Sequence, residues 1–230
     1  MIENTLLLTM PFILQNRRTA DSRLDLEEGT IQGVNYEHAT VSPVNISISV
    51  IEPPQLQSNM QCQKTCLIVN GGFFEPDGSP TGLLIEGGRQ RAPLSNRALM
   101  SGTFMVKNGL FQMIKSGDYI ADPGISFAVQ NGPMLVEPGP RFGIISNNLN
   151  RQPRTIIALD RAGCAHIVVL KTPVSLFVSQ YIVAKMVRNI SYALNLDGGP
   201  SSYIYYNNGK KNITYGDPAI PAYFIKIALQ

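Results

Sequence analysis

Ala193-Leu194-Asn195-Leu196-Asp197-Gly198-Gly199-Pro200-Ser201-Ser202 is a short apolar strand that runs into a carboxylate, two glycines, a proline and two hydroxyls. Glycine takes positive φ without penalty and admits close backbone approach, so such a turn can bring N–H groups to a ligand. The carboxylate is held by a rigid strand while the turn beyond it faces solvent. Two earlier apolar runs end in the same manner, Val69-Asn70-Gly71-Gly72 and Gln130-Asn131-Gly132-Pro133. A single Asn-Gly turn is ordinary loop geometry. Three of one design predict that two carboxamides, a carboxylate and several backbone N–H groups meet in one pocket, a chemistry suited to a polyhydroxylated ligand or to an anion.

Outward from these turns the chain alternates strands with hairpins. Val44 to Val50 places Asn45, Ser47 and Ser49 between apolar residues, the period of a half-buried strand, and Pro53-Pro54 close it. Lys107-Asn108-Gly109 separates two apolar runs, a strong hairpin signal, and Asp160 to Gly163 separates two more. Further strands are expected at Tyr203 to Tyr206 and Tyr223 to Leu229. One helix is convincing. Ser175 can cap it, and Ile182, Val183, Met186, Val187 and Ile190 recur at helical spacing. The fold class is therefore α+β, a mostly antiparallel or mixed β-sheet with few helices and one long amphipathic helix at about 175–192. Residues 1–30 are weakly patterned and read as an N-terminal extension, with residues 31–230 as the domain.

The totals narrow the function classes. Of the 230 residues, 44% are hydrophobic and 15% charged, the composition of an ordered globular chain. A net charge of +3 without a dense Lys/Arg run gives nucleic-acid binding little support. The apolar run Leu6 to Leu14 is nine residues, too short to span a bilayer. It follows Glu3 instead of a basic segment, so the compartment stays open: periplasmic or secreted if an export signal has been trimmed, cytoplasmic otherwise. Cys62 and Cys66 can pair, but the expectation is free, buried thiols. His38 and His166 stand alone, and neither they nor the cysteines have the spacing of a zinc site. No metal or cofactor is expected.

Four ordered motifs carry a family resemblance. Asn70-Gly71-Gly72-Phe73-Phe74, Asn131-Gly132-Pro133-Met134-Leu135-Val136, Arg154-Thr155-Ile156-Ile157-Ala158 and Asn195-Leu196-Asp197-Gly198-Gly199-Pro200-Ser201-Ser202 together resemble the phosphodiester glycosidase family. That family includes the uncovering enzyme, which removes N-acetylglucosamine from phosphodiester-capped mannose, and bacterial relatives labelled as exopolysaccharide proteins. The resemblance implies an enzyme that cleaves between a sugar's anomeric carbon and a phosphate, with a sugar-phosphate or nucleotide-sugar-like substrate. The leaving group is already acidic, so the pair of carboxylates usual in glycoside hydrolysis is not required.

What the resemblance implies for single residues follows. Arg154 is the expected phosphate clamp, since a guanidinium grips phosphate through two parallel hydrogen bonds; a structural ion pair is the competing role. Asp197 is the expected base, or the carboxylate that stabilises an oxocarbenium-like transition state. Asn70, Asn131 and Asn195 are expected to orient sugar hydroxyls or phosphate oxygens. Gly71, Gly72, Gly132, Gly198 and Gly199 would give close backbone approach, and Ser201 and Ser202 would bond the phosphate. The alternative is a non-catalytic carbohydrate- or phosphate-binding module that assists polysaccharide assembly. Retention of the Asn, Arg and Asp set favours the enzyme.

Overall fold

The computed structural model describes residues 23–139 and 141–230. In chain order its first strands are β1 (Leu24–Ile31), β2 (Val34–Val41), β3 (Ile46–Ile51), β4 (Cys66–Asn70), β5 (Leu84–Glu86) and β6 (Arg89–Ala92). They continue as β7 (Gly102–Lys107), β8 (Leu110–Lys115), β9 (Ile125–Asn131), β10 (Met134–Glu137), β11 (Arg141–Phe142) and β12 (Gln152–Asp160). Then come β13 (Ala165–Val174), β14 (Ile190–Asn195), β15 (Ile204–Asn207), β16 (Asn212–Tyr215) and β17 (Phe224–Leu229). The α-helices are α1 (Leu56–Asn59) and α2 (Leu176–Met186).

The strands form three sheets of order β1-β2-β13-β12-β14-β10-β11, β16-β15-β4-β17-β3 and β6-β5-β9-β7-β8. Every pairing among them is antiparallel. The hairpins fall where the turn residues predict. Lys107 pairs with Leu110 across Asn108-Gly109, and both turn residues have positive φ, the twist that a two-residue hairpin needs. The three sheets share one apolar core. Ala39, Val41 and Ile157 come from the first sheet, Leu67 and Val69 from the second, and Phe104, Phe111 and Phe127 from the third. A second cluster packs Ile182 and Val183 of α2 on Ile156, Ala158 and Val168 of the first sheet.

Three expectations are corrected. The helix runs only from Leu176 to Met186, and Val187 is already extended. Ile190, expected on its apolar stripe, opens β14 and pairs with Asp160. A run of apolar residues fits both periods at this length, and the sheet's open ladder beside β12 takes Ile190 to Tyr192. Nor is α2 cleanly amphipathic, because Val178 and Tyr181 are exposed apolar residues on its outer side. The second correction is the bond between Cys62 and Cys66, whose Cα atoms lie 6.1 Å apart, leaving Cys164 as the free thiol. The turn after α1 folds Cys62 back over the first residue of β4, within the span a disulfide bridges. Third, Leu24 to Thr30 of the expected extension belong to β1, which pairs with β2 along its whole length. Residues 1–22 lie outside the described residues.

Candidate active site

Each sheet brings an asparagine at a strand end to one place: β4 of the second sheet at Asn70, β9 of the third at Asn131, and β14 of the first at Asn195. The three strand ends meet. Asn70 Nδ2 donates to the Asp197 carbonyl at 2.8 Å, and Asn195 Nδ2 donates to the Gly132 carbonyl at 3.1 Å. A Cβ built on Gly72 would stand 2.9 Å from Asn131 Nδ2. These contacts close a triangle, so the three glycine turns surround one place at the junction of the sheets.

Asn70 does not face a ligand. It is fully buried, its Nδ2 also reaches the Gly71 carbonyl at 3.0 Å, and its Oδ1 accepts from Thr155 Oγ1 at 2.8 Å and from the Tyr203 N–H at 3.0 Å. With its donors and acceptor engaged, Asn70 serves as the staple that fixes the backbone of Asp197. Asn131 is the opposite case: it is equally buried, and neither its Oδ1 nor its Nδ2 has a hydrogen-bond partner among the described residues. Asn195 Oδ1 and Ser202 Oγ are also buried and unpartnered there. An unmade hydrogen bond costs a buried polar group about 1–3 kcal/mol, so this concentration of unspent capacity marks a place built for something polar.

The Asp197 carboxylate accepts from the Gly198 N–H at 2.9 Å and from the Ser201 hydroxyl. Burial pushes its pKa above the ordinary carboxylate value, and these two donors pull it back. No cation pairs with it among the described residues. Arg154 lies against the same turn: a Cβ on Gly198 would meet the Arg154 Cδ at 3.7 Å. The guanidinium is largely buried; its Nε donates to the Val174 carbonyl at 3.0 Å and one terminal nitrogen to the Asn150 carbonyl at 2.8 Å. Neither expected role is visible as such, because Arg154 has no carboxylate partner among the described residues and spends two donors on carbonyls. A guanidinium carries five N–H donors, so three remain.

The glycines differ in purpose. Only Gly199 of the expected set has positive φ, at 62°. A side chain on Gly71 would overlap the ring of Tyr223, and one on Gly132 would overlap the Leu99 carbonyl. The expected cradle of free N–H groups is mostly consumed internally. Gly71 donates to the Tyr223 carbonyl, Gly72 to the Tyr223 hydroxyl, and Gly198 to Asp197. Ser201 and Ser202 close a turn on Gly198 and Gly199. Short Gly-rich turns satisfy their own donors when the loop is this tight.

Two residues of the site carry no local sequence signal. Tyr223, just before β17, is buried with its hydroxyl 2.7 Å from the Gly72 nitrogen. Burial drives its pKa far upward, with the nearby Asp197 charge adding to the shift, so the phenol stays protonated. Gln130 accepts from the Leu83 and Ser95 N–H groups and donates to the Ser95 and Met100 carbonyls, fixing the loop that leans on Gly132. Nothing in a tyrosine or glutamine at a strand end distinguishes these from core residues until the fold brings them to the turns.

A family model for phosphodiester glycosidase matches residues 63–222. No curated protein matches the chain in sequence. Among solved structures, the zebrafish N-acetylglucosamine-1-phosphodiester alpha-N-acetylglucosaminidase catalytic domain, auto-inhibited by its pro-peptide, superposes with a TM-score of 0.61 at 15% identity over 91% of this chain and 83% of that one. A hypothetical protein from Synechocystis gives 0.57 at 15% identity, over 90% and 62% of the two chains. A protein of Burkholderia pseudomallei gives 0.54 at 13% identity, over 85% and 74%. At these identities the structural likeness is one of fold. The family match takes in the strand ends, Arg154 and the Asp197 turn, and with it the chain belongs to the phosphodiester glycosidase family.

Proposed function

We propose that this protein hydrolyses the bond between a sugar's anomeric carbon and a phosphate oxygen in a sugar-1-phosphodiester. The observation that carries the reading is Asp197: a half-buried carboxylate without a cationic partner among the described residues, stapled by Asn70 beside buried polar side chains that have unspent capacity. The family supports the reaction class, and the zebrafish neighbour's name supports a phosphodiester of N-acetylglucosamine as the first substrate to try.

The chemistry follows from the groups present. A water oxygen attacks the anomeric carbon and gives its proton to the Asp197 carboxylate. The carbon–oxygen bond to phosphorus breaks, and its electron pair leaves on the phosphate. Free sugar and a phosphomonoester result. A carboxylate whose pKa is raised by burial is a stronger base than one in water, and its charge also favours the positive character that develops at the anomeric carbon. The departing phosphate needs a cation more than a proton. Arg154, whose Cδ lies against Gly198 and whose guanidinium keeps three N–H donors, supplies it, and an anionic ligand would compensate a guanidinium that otherwise lacks an opposite charge.

The test is release of free sugar from a panel of aryl and alkyl phosphodiesters of 1-phospho-sugars and from UDP-sugars. Turnover by the parent chain and a loss of about 10²–10⁴-fold in Asp197→Asn, with an unchanged circular dichroism spectrum, is the expected result. Undiminished turnover in that variant removes Asp197 from the chemistry. Binding of the panel without sugar release favours the binding module instead.

A further inference from the structure

The outer side of α2 carries a face that the Asp197 site does not use. Phe142 of β11 packs on Tyr181 of α2 with ring centroids 4.4 Å apart, and Phe177 reaches the same tyrosine at 5.2 Å. Beside these rings the chain is pinned. Gly143 donates to the Leu135 carbonyl, and the buried Gln180 carboxamide accepts from the Ile144 N–H at 3.0 Å and donates to the Ile144 carbonyl at 2.8 Å. The clamp presents the next residue, Ile145, to solvent with 93% of its surface exposed. Phe142, Val178 and Tyr181 are exposed as well. Single exposed apolar residues are normal on a protein surface; several on adjoining, fixed elements mark a place of interaction.

The same face turns basic toward the end of α2. Val178, Tyr181 and Lys185 recur at i, i+3 and i+7, one stripe of the helix. Beyond the helix stand Arg188 and, from the turn between β12 and β13, Arg161, whose N–H donates at 3.0 Å to the carbonyl of Asn189, the residue after Arg188. Lys185, Arg188 and Arg161 are exposed, and no carboxylate pairs with any of them among the described residues. Asp160 is the only acidic residue between Phe142 and Arg188, and its side chain is largely covered against His166.

We propose that this face docks on an anionic lipid surface, with α2 in the plane of the headgroups and Ile145, Phe142 and Tyr181 entering the acyl boundary. An aliphatic side chain held out in water gains free energy by entering hydrocarbon and gains nothing from an anion. The tyrosine suits an interface that is apolar on one side and wet on the other. The basic end adds attraction to anionic headgroups, the second contribution on which interfacial binding depends. A polyanionic glycan would engage the cations and leave Ile145 idle. A second copy of this chain, meeting the first through the same face, would bring no carboxylate to pair with them.

The experiment is cosedimentation of the full chain with vesicles of phosphatidylcholine, alone and mixed with phosphatidylglycerol. Binding to the mixed vesicles that weakens with added salt is expected. The full chain also carries the apolar run Leu6 to Leu14, so the variants decide. Ile145→Ser should lower partitioning about tenfold, and Lys185→Gln about fivefold on the mixed vesicles with no change on phosphatidylcholine alone. Leu110→Ser, which removes an exposed apolar side chain from the third sheet, should change neither. All three positions are exposed, and an unchanged circular dichroism spectrum checks the fold. The chain has no tryptophan, so Ile145→Trp supplies a single reporter whose emission should shift to the blue on the mixed vesicles and be quenched by brominated acyl chains. No binding by the parent chain, an unquenched reporter, or equal losses in Ile145→Ser and Leu110→Ser overturns the proposal. Binding that Lys185→Gln weakens equally on vesicles and on dextran sulfate while Ile145→Ser has no effect overturns it in favour of a polyanion. A dimer that Ile145→Ser dissociates overturns it in favour of a second copy.

Discussion

Asp197 is pulled two ways. Burial disfavours its charge, while the Gly198 N–H and the Ser201 hydroxyl stabilise it. Removing the hydroxyl should therefore raise its pKa further. For a base that must be ionised, activity falls as pH drops through that pKa, so Ser201→Ala should move the acid limb of the pH–kcat/KM profile to higher pH and leave the plateau reduced. An acid limb unmoved by Ser201→Ala would assign that limb to another group. The aspartate and its glycines were legible from the motif, because a carboxylate followed by Gly-Gly is a local pattern. The division of labour among the amides was not: Asn70, Asn131 and Asn195 look alike in sequence. Only the strands packed around each decide that Asn70 is saturated and Asn131 is not.

At the scale of elements, β4 connects the disulfide at its first residue to the site at its last. Asn70 there makes four hydrogen bonds, to Gly71, Thr155, Asp197 and Tyr203, which tie the second sheet to β12 and to the Asp197 turn. Asn70→Ala should cost roughly 4 kcal/mol, about one for each bond, and the Asp197 backbone would lose its support. Urea unfolding gives the cost, and a fall in kcat at unchanged substrate binding gives the positional effect. A stability loss under about 1 kcal/mol would mean that water replaces these bonds at no great expense. Strand positions were well read wherever turn residues bounded them. The helix was over-extended, because an apolar run cannot reveal which period its last residues will follow before the neighbouring strand is known.

At the scale of the molecule, a row of titratable side chains crosses four neighbouring strands of the seven in the first sheet: Glu27, His38, His166 and Asp160. His38 Nδ1 lies 3.0 Å from Glu27, His38 Nε2 lies 2.9 Å from His166 Nδ1, and His166 Nε2 lies 3.4 Å from Asp160. Thr40, Cys164 and Arg23 also face this row. Burial lowers the pKa of both histidines below 6.5, and for His166 the neighbouring His38 lowers it again. The unfolded chain thus binds protons more readily than the fold. The contribution to stability is complete above pH 6.5 and is lost as pH falls through the depressed values. Two protons cannot be held at once, since both facing nitrogens would then be donors. The urea midpoint should fall on acidification below 6.5, and His38→Gln should flatten that slope. An identical slope in the variant would place the acid sensitivity elsewhere. By itself the sequence determined the antiparallel class, the hairpins, the three glycine turns and the family, because these are written in local periodicity and turn chemistry. The tertiary structure alone decided that the turns meet, that Tyr223 stands over Gly71, that two distant histidines touch and that Cys62 reaches Cys66. Apart from the disulfide, whose cysteines are four positions apart, these contacts join residues far apart in sequence and depend on sheet order, which no local pattern encodes.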